Sequence, residues 1–455
     1  MSQQQSHYVA VIGAGPAGLF AARELALQGD CVVLINRDIK PGGLAEYGIY
    51  PEKHTMKDGL RKQFSQVLGS AGITYYGNVI IGTQGDLSLN DLRKLGFQAI
   101  LVTAGAQGTK WLGLPGEDLQ GVYQAKDVVF HYNKLPPYSQ WEFHFGKRCA
   151  IVGAGNVMVD ISRFLIREIK VDEIISVARR GPIEVNFTKE EMKHVIANLD
   201  VDAFEAELLR VLPSLQAINQ DPEVGRQKVL EALPKADPKF PNARFRFEFL
   251  SSPTRMLGKD GKLTQLEIED NTLVLKDGRV KARGTGHKRL LDVDTVIFAI
   301  GDKVDVSFGL PVDSSEFVKY PTPRFPLDGR SYEAFDPATA SPIPDVFMGG
   351  WSRHASSGVV GLARKDGTNA AKVVSQYLQT LPLVAPDLSA LAAKMSALPK
   401  PIITIKELKK LEAAEQVEAE KRGLPEFKFS TNEEMLQAIE AAAVPEQAST
   451  PHRGP

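Results

Sequence analysis

Residues 8–36 read YVAVIGAGPAGLFAARELALQGDCVVLIN. A β-branched run, Val9–Ile12, leads directly into Gly13-Ala14-Gly15-Pro16-Ala17-Gly18, and Leu19, Ala22, Leu25 and Ala26 then recur on one helical face. After Gly29 a second apolar run, Cys31–Ile35, completes a strand–helix–strand unit with its glycines at the first junction. The glycines serve different ends. Gly13 permits the tight turn, Gly15 lets the backbone approach a pyrophosphate, and Gly18 lets the helix pack close to the sheet. The helix start adds N–H groups without intrahelical acceptors and a partial positive charge. A glycine loop so placed predicts a dinucleotide site. The position that ordinarily carries the ribose-gripping acid is Asn36. A neutral amide still accepts one hydrogen bond, so the grip is expected to be weaker or differently made, with Arg37 beside it able to meet a phosphate.

The pattern recurs in residues 148–180, RCAIVGAGNVMVDISRFLIREIKVDEIISVARR. Strand Cys149–Val152 meets Gly153-Ala154-Gly155-Asn156-Val157-Met158, a helix follows, and a second strand closes the unit. Two such units in one chain imply two nucleotides bound face to face, the arrangement in which one cofactor passes a hydride to another. Met158 replaces the third glycine, so this helix is expected to stand further from its sheet or to shift. The unit ends in Arg179-Arg180 instead of an acid. An acid would select the free 2′-hydroxyl of NAD, whereas guanidinium groups suit the 2′-phosphate of NADP.

Composition narrows the classes. The 455 residues carry 54 Lys+Arg against 55 Asp+Glu, a net charge of −1, which gives no bulk case for a nucleic-acid or anionic-membrane partner. At 43% apolar and 24% charged the balance is globular. No apolar run approaches the roughly 18 residues of a spanning helix. Only Met1–His7 precede the first strand, without a leader or transit pattern, so a cytoplasmic location is expected. The 2 cysteines, Cys31 and Cys149, lie in separate strand patterns and are read as small buried hydrophobes. With no CxxC and no HExxH, neither a local redox dithiol nor a metal site is expected.

Further segments follow in order nearly end to end: VIGAGPAGLFAA (11–22), GGLAEYGIYPEKHTMK (42–57), GNVIIG (77–82), VTAGA (102–106), LPGEDLQGVYQAKDVVFHYN (114–133), VGAGNVMVDISR (152–163), ARRGPIEVNFTKEEM (178–192), FMGGWSRHASSGVVG (347–361) and a tail at 408–436. On these segments the chain resembles the adrenodoxin reductase-like family of ferredoxin–NADP⁺ reductases. The resemblance implies an α/β fold with two Rossmann-like dinucleotide-binding domains and a helical C-terminal tail. It implies FAD in the first site, with contacts from Ala17, Leu44, Ile81, Trp351, Gly358, Val359 and Val360. It implies NADP(H) in the second, with contacts from Gly155, Asn156, Val157, Arg179, Arg180 and Glu191. The implied activity moves a hydride from NADPH to FAD, then single electrons to a ferredoxin-like iron–sulfur protein, or the reverse.

Some positions depart from the family pattern. Arg353-His354-Ala355-Ser356-Ser357 replaces the usual Lys-Arg-Gly-Pro-Thr, Glu52-Lys53-His54 stands where Asp-His-Pro is common, and Gly108-Thr109-Lys110 replaces an Asp-Arg. His54 and His354 are the candidate proton relays to a reduced flavin, each weighed against an ordinary hydrogen-bonded role. Thioredoxin- or lipoamide-reductase chemistry lacks its cysteine pair. A flavin subunit of a larger iron–sulfur oxidoreductase, like the small subunit of glutamate synthase, is the main alternative, and a NADPH-sensing scaffold without flavin reduction is another.

The expected organisation is a discontinuous FAD domain (1–106 and 330–380), an NADP domain (107–329), and a linker and extension (381–455). Residues 203–245 read as helices plus a loop, in which Arg226 and Lys228 are candidates for a basic face toward an acidic ferredoxin. Within the extension, 405–423 reads as an exposed helix and 433–443 as a short helix docking back.

Overall fold

A computed structural model describes residues 5–355 and 360–442. The chain divides into two compact units, 1–108 with 130–140 and 301–455, and 109–129 with 141–300.

The first unit is built on a six-stranded sheet. Its spatial order is Glu333–Asp336, Ser341–Met348, Ala99–Val102, Tyr8–Ile12, Cys31–Ile35 and Ile73–Tyr76. All neighbours are parallel except the first pair. Buried strands alternate their side chains between two cores. Val9, Val11, Val32, Leu34, Ala99 and Leu101 face one core, which also takes Leu19, Phe64, Ala370, Val374, Leu408 and Met435. Tyr8, Ala10, Ile12, Val33, Ile35, Ile100 and Val102 face the other, closed by Phe308, Phe317, Leu391 and Met395.

The second unit has a five-stranded parallel sheet ordered Val122–Gln124, Thr295–Phe298, Arg148–Val152, Glu173–Val177 and Arg244–Glu248. One face is covered by an antiparallel three-stranded sheet, Ser251–Lys259, Lys262–Lys276 and Arg279–Asp292, through Met256, Leu263, Leu266 and Ile268. Residues 201–230 form the helices Val201–Gln216 and Pro222–Leu230.

Three expectations are corrected. The second crossing lies at Gly301, so 301–329, expected in the second domain, belongs to the first unit, as does 130–140. Val304, Phe308, Leu310 and Phe317 explain this, because they fill the first unit's core. The stretch 381–401 is more than a linker, since the helix Leu388–Ser396 buries Leu391 and Met395. The helix Ile405–Arg422 is not exposed along its length: Leu408, Leu411, Glu415 and Ala419 form a buried face, which its charge-rich composition conceals. The last helix, Asn432–Ala441, packs Met435 and Ile439 into the same core. Among the described residues, no helix is long and apolar enough to cross a membrane.

Candidate dinucleotide sites

In the first loop Gly13 has φ +105°, and a side chain there would place Cβ 2.6 Å from the Thr103 carbonyl oxygen. At Gly18 the equivalent Cβ would lie 1.9 Å from the Gly13 carbonyl oxygen and 2.5 Å from Thr103 Oγ1. Both are tight packing positions. Gly15 is different: a Cβ there meets nothing within 4 Å among the described residues. It caps the helix Pro16–Leu27 without any side-chain hydrogen bond to the helix N–H groups. Open space in front of uncapped N–H groups suits an anionic pyrophosphate. Ala17 is buried because the helix Val360–Leu378 packs on it, with Gly367 so close that a Cβ would lie 2.1 Å from the Ala17 carbonyl oxygen.

Asn36 is turned into the protein. Its Oδ1 accepts from the Ala14 N–H at 3.0 Å, and its Nδ2 donates to the carbonyl oxygens of Asp38 at 2.9 Å and Lys40 at 3.0 Å. It is 6% exposed and ties the glycine loop to the segment after the second strand. Sequence reasoning considered Asn36 only as a weak ribose ligand and missed this clamp. The Arg37 side chain, considered for a phosphate, pairs with Asp38 Oδ1 at 3.1 Å.

Leu44 opens the short helix Leu44–Tyr47 and packs with Tyr47, Phe130 and Leu135. Ile81 is buried. Trp351 lies half-buried in the turn Gly350–Ser352. A polar network missed from sequence fixes that turn. Asp366 accepts from the Gly350 N–H at 2.7 Å and from Arg353 Nη2 at 2.6 Å, while the Arg353 guanidinium lies 4.6 Å over the Tyr332 ring. Burial lowers the affinity of Arg353 for its proton, but hydrogen bonding and attraction to Asp366 outweigh it and raise its pKa. Val360 begins the helix Val360–Leu378, whereas Gly358 and Val359 lie outside the described residues.

The two candidate relay histidines differ in setting. His54 is the half-buried first residue of the helix His54–Leu68. His354 is 61% exposed along its side chain, with Nδ1 2.9 Å from Glu316 Oε1. Glu316 is also paired with Lys319, whose Nζ donates to the Arg353 carbonyl oxygen at 2.8 Å. His354 therefore takes part in a surface ion-pair chain that braces the turn after Trp351.

The second loop repeats the first in outline. Gly153 has φ +132°, its Cβ position 2.4 Å from the Ala299 carbonyl oxygen, while a Cβ on Gly155 would meet nothing within 4 Å among the described residues. Gly155 caps the helix Asn156–Phe164, again without a side-chain cap. Met158, in the third glycine position, is fully buried. Val157 is 45% exposed at the helix start, and Asn156 Oδ1 accepts from the Thr188 N–H at 2.9 Å. That bond joins the loop to the helix Lys189–Met192, which carries the half-buried Glu191.

Arg179 and Arg180 follow the strand Glu173–Val177, and neither side chain has a carboxylate partner among the described residues. Their backbone is held firmly instead. The Leu250 N–H donates to the Arg180 carbonyl at 3.2 Å and the Ser251 N–H to the Ala178 carbonyl at 3.0 Å. Asn271 Nδ2, buried, donates to the Arg179 carbonyl at 3.0 Å. A rigid backbone under free guanidinium groups suits a phosphate monoester. Arg226 is drawn instead into pairs with Glu205 at 2.8 Å and Glu223 at 3.6 Å, and Lys228 donates to the Ile183 carbonyl at 2.8 Å. Cys149 is buried, which pushes its thiol up to about 12.

Comparison with known proteins agrees with this geometry. Residues 7–202 match the pyridine nucleotide-disulphide oxidoreductase family model. The chain is 27% identical to the NADPH-ferredoxin reductase FprA of Mycobacterium leprae, over 96% of this chain and 99% of that protein. It is 25% identical to the mitochondrial NADPH:adrenodoxin oxidoreductase of Homo sapiens, over 96% of this chain and 93% of that one. The structure of Mycobacterium tuberculosis FprA in complex with NADPH superposes with a TM-score of 0.80 at 25% identity, covering 96% of this chain and 100% of that chain. The family model spans both glycine loops, and over nearly its whole length the chain is similar to NADPH-ferredoxin and NADPH:adrenodoxin reductases.

Proposed function

We propose that this oxidoreductase holds FAD on the 13–18 loop and NADP(H) on the 153–158 loop, and that it passes electrons from NADPH to a ferredoxin-like iron–sulfur protein or iron–sulfur subunit. The observation that carries the reading is the pair of uncapped helix starts, at Gly15 and Gly155, each opening onto space that a Cβ would enter freely. Both cradles fit a pyrophosphate, and Arg179 and Arg180, without a carboxylate partner among the described residues, fit a 2′-phosphate.

Bound flavin supplies the chemistry that links two-electron and one-electron carriers. The chain's own residues bind and orient. Gly13, Gly15 and Ala17 present the FAD pyrophosphate with backbone, and Leu44, Ile81, Trp351 and Val360 flank it. Gly155, Asn156 and Val157 serve the NADP pyrophosphate, while Arg179, Arg180 and Glu191 set the nucleotide's identity and seat. His54 and His354 are the side chains proposed to hold a proton near the flavin.

Anaerobic cytochrome c reduction tests this, with NADPH or NADH and with or without added ferredoxin. The expected result is a rate that requires NADPH and rises steeply with ferredoxin. Flavin reduction by NADPH without response to any ferredoxin would favour the dedicated iron–sulfur subunit, and flavin unreduced by NADPH would overturn the enzyme reading.

A further inference from the structure

The first unit contains a buried cluster of acidic and basic side chains that the proposed electron transfer does not use. Lys40, Glu46, Lys57 and Glu415 are between 1% and 6% exposed. Glu46 is central. Arg61 reaches its carboxylate through Nε at 2.7 Å and Nη2 at 2.6 Å, Lys40 Nζ is 3.4 Å away, and Lys428 Nζ is 3.0 Å away. Lys428 also donates to the Glu46 carbonyl oxygen at 2.7 Å and lies 4.9 Å over the Tyr47 ring. Glu426 takes Lys57 at 2.8 Å and also pairs with Arg61, and Glu415 pairs with Lys40. The C-terminal partners are thus Glu415, Glu426 and Lys428, and all of them converge on residues 40–61.

The segment they hold touches the nucleotide loop. The Gly42 N–H donates to the Ala14 carbonyl oxygen at 2.7 Å, and a Cβ on Gly43 would lie 3.3 Å from Gly15 Cα. Gly43 has φ +50°, and the helix Leu44–Tyr47 that carries Glu46 starts immediately after it. A displacement of Glu46 therefore moves the backbone that abuts Gly15. Apolar side chains of similar volume would stabilise such a contact at least as well as buried charges, which pay for desolvation. What charges add is directional geometry, since each carboxylate oxygen fixes the position of its donors.

We infer that the tail residues Glu415, Glu426 and Lys428 are positioning residues for the flavin nucleotide, acting through Glu46 to seat the 42–48 loop against the 13–18 loop. The inference rests on the assignment of FAD to the first loop. It makes the 404–430 segment a functional part of the flavin site rather than an appended tail.

The test uses the full chain, stripped of flavin and reconstituted with FAD, with affinity read from quenching of flavin fluorescence well below the melting temperature. Lys428→Met is expected to weaken FAD binding about tenfold, Lys428→Arg to restore most of it, and 2′,5′-ADP binding to stay within about twofold of wild type in both. Glu426→Gln, at a partly exposed carboxylate, is the milder second variant, with the same direction expected. Folded variants that bind FAD within about twofold of wild type overturn the inference. Wild-type hydrogen exchange gives a measurement that needs no variant. FAD release is expected to raise exchange in 412–428 together with 42–48, and a rise confined to 13–18 and 42–48 overturns the inference. Wild-type protein that binds no FAD at all fails earlier, at the cofactor assignment itself.

Discussion

Gly15 and Gly18 stand three positions apart in one loop and make opposite demands. A methyl group on Gly18 collides with the Gly13 carbonyl, so Gly18→Ala is expected to lower the melting temperature of the flavin-free protein and to abolish FAD retention. A methyl group on Gly15 enters open space, and Gly15 has φ −76°, which any residue adopts. Gly15→Ala should therefore leave the flavin-free melting temperature unchanged while weakening FAD by about tenfold or more, because the methyl occupies the phosphate's approach. Calorimetry of both apoproteins beside FAD titration checks the pair. In the second unit, Arg179→Ala with Arg180→Ala should erase the preference for NADPH, measured as the ratio of kcat/KM values for NADPH and NADH. Their carbonyls are held by Leu250 and Asn271, so removing the side chains leaves the loop's backbone bonds in place.

The helix that follows the first glycine loop is packed from one side by a second helix. The helix Val360–Leu378 meets Pro16–Leu27 with Gly367 against Ala17, closer than any side chain allows. Gly367→Ala is expected to destabilise the protein by about 2 to 4 kcal/mol in denaturant unfolding, since backbone would have to move. The helix Ile405–Arg422 starts with a capping box in which Thr404 accepts from the Lys406 N–H at 3.2 Å and Glu407 accepts from the Thr404 N–H at 3.1 Å. Much of this was legible in the sequence. Both strand–glycine–helix units read directly, because a period of two passing into a helical period with glycines between has few other solutions. The buried face of Ile405–Arg422 did not read, because Leu408, Leu411, Glu415 and Ala419 include a charge whose partner lies 375 positions away in sequence. Asn36 likewise read as a missing acid, since the Ala14 N–H that it accepts from is set by the loop's folded course.

Over the whole molecule, the domain crossings and the acid response follow from where side chains find partners. The membership of 301–329 was not legible, because Phe308 and Phe317 carry no label for the core they join. The cluster around Glu46 gives the chain a defined acid sensitivity. Burial pushes the Glu426 carboxyl up, but Lys428, Arg61 and Lys57 outweigh this and hold it down at about 2. Its folded pKa is thus below its unfolded value, so its stabilisation is fully present above the ordinary glutamate range near 4.5 and is lost as pH falls through about 2. With partial solvent screening that contribution is on the order of 2 kcal/mol. Glu426→Gln should flatten the stability profile between those two pH values, read by urea unfolding at a series of pH values, and an unchanged slope would contradict the ion-pair account.

The first unit is proposed to hold the flavin, and Arg179 and Arg180 in the second to choose NADP. The most direct test of this is an anaerobic titration of the purified protein followed through the visible flavin spectrum, first with NADPH and then with NADH. The expected result is bound FAD that NADPH bleaches at near-stoichiometric addition and that NADH bleaches at least about tenfold less efficiently. Protein without flavin, or flavin bleached preferentially by NADH, would contradict the proposal.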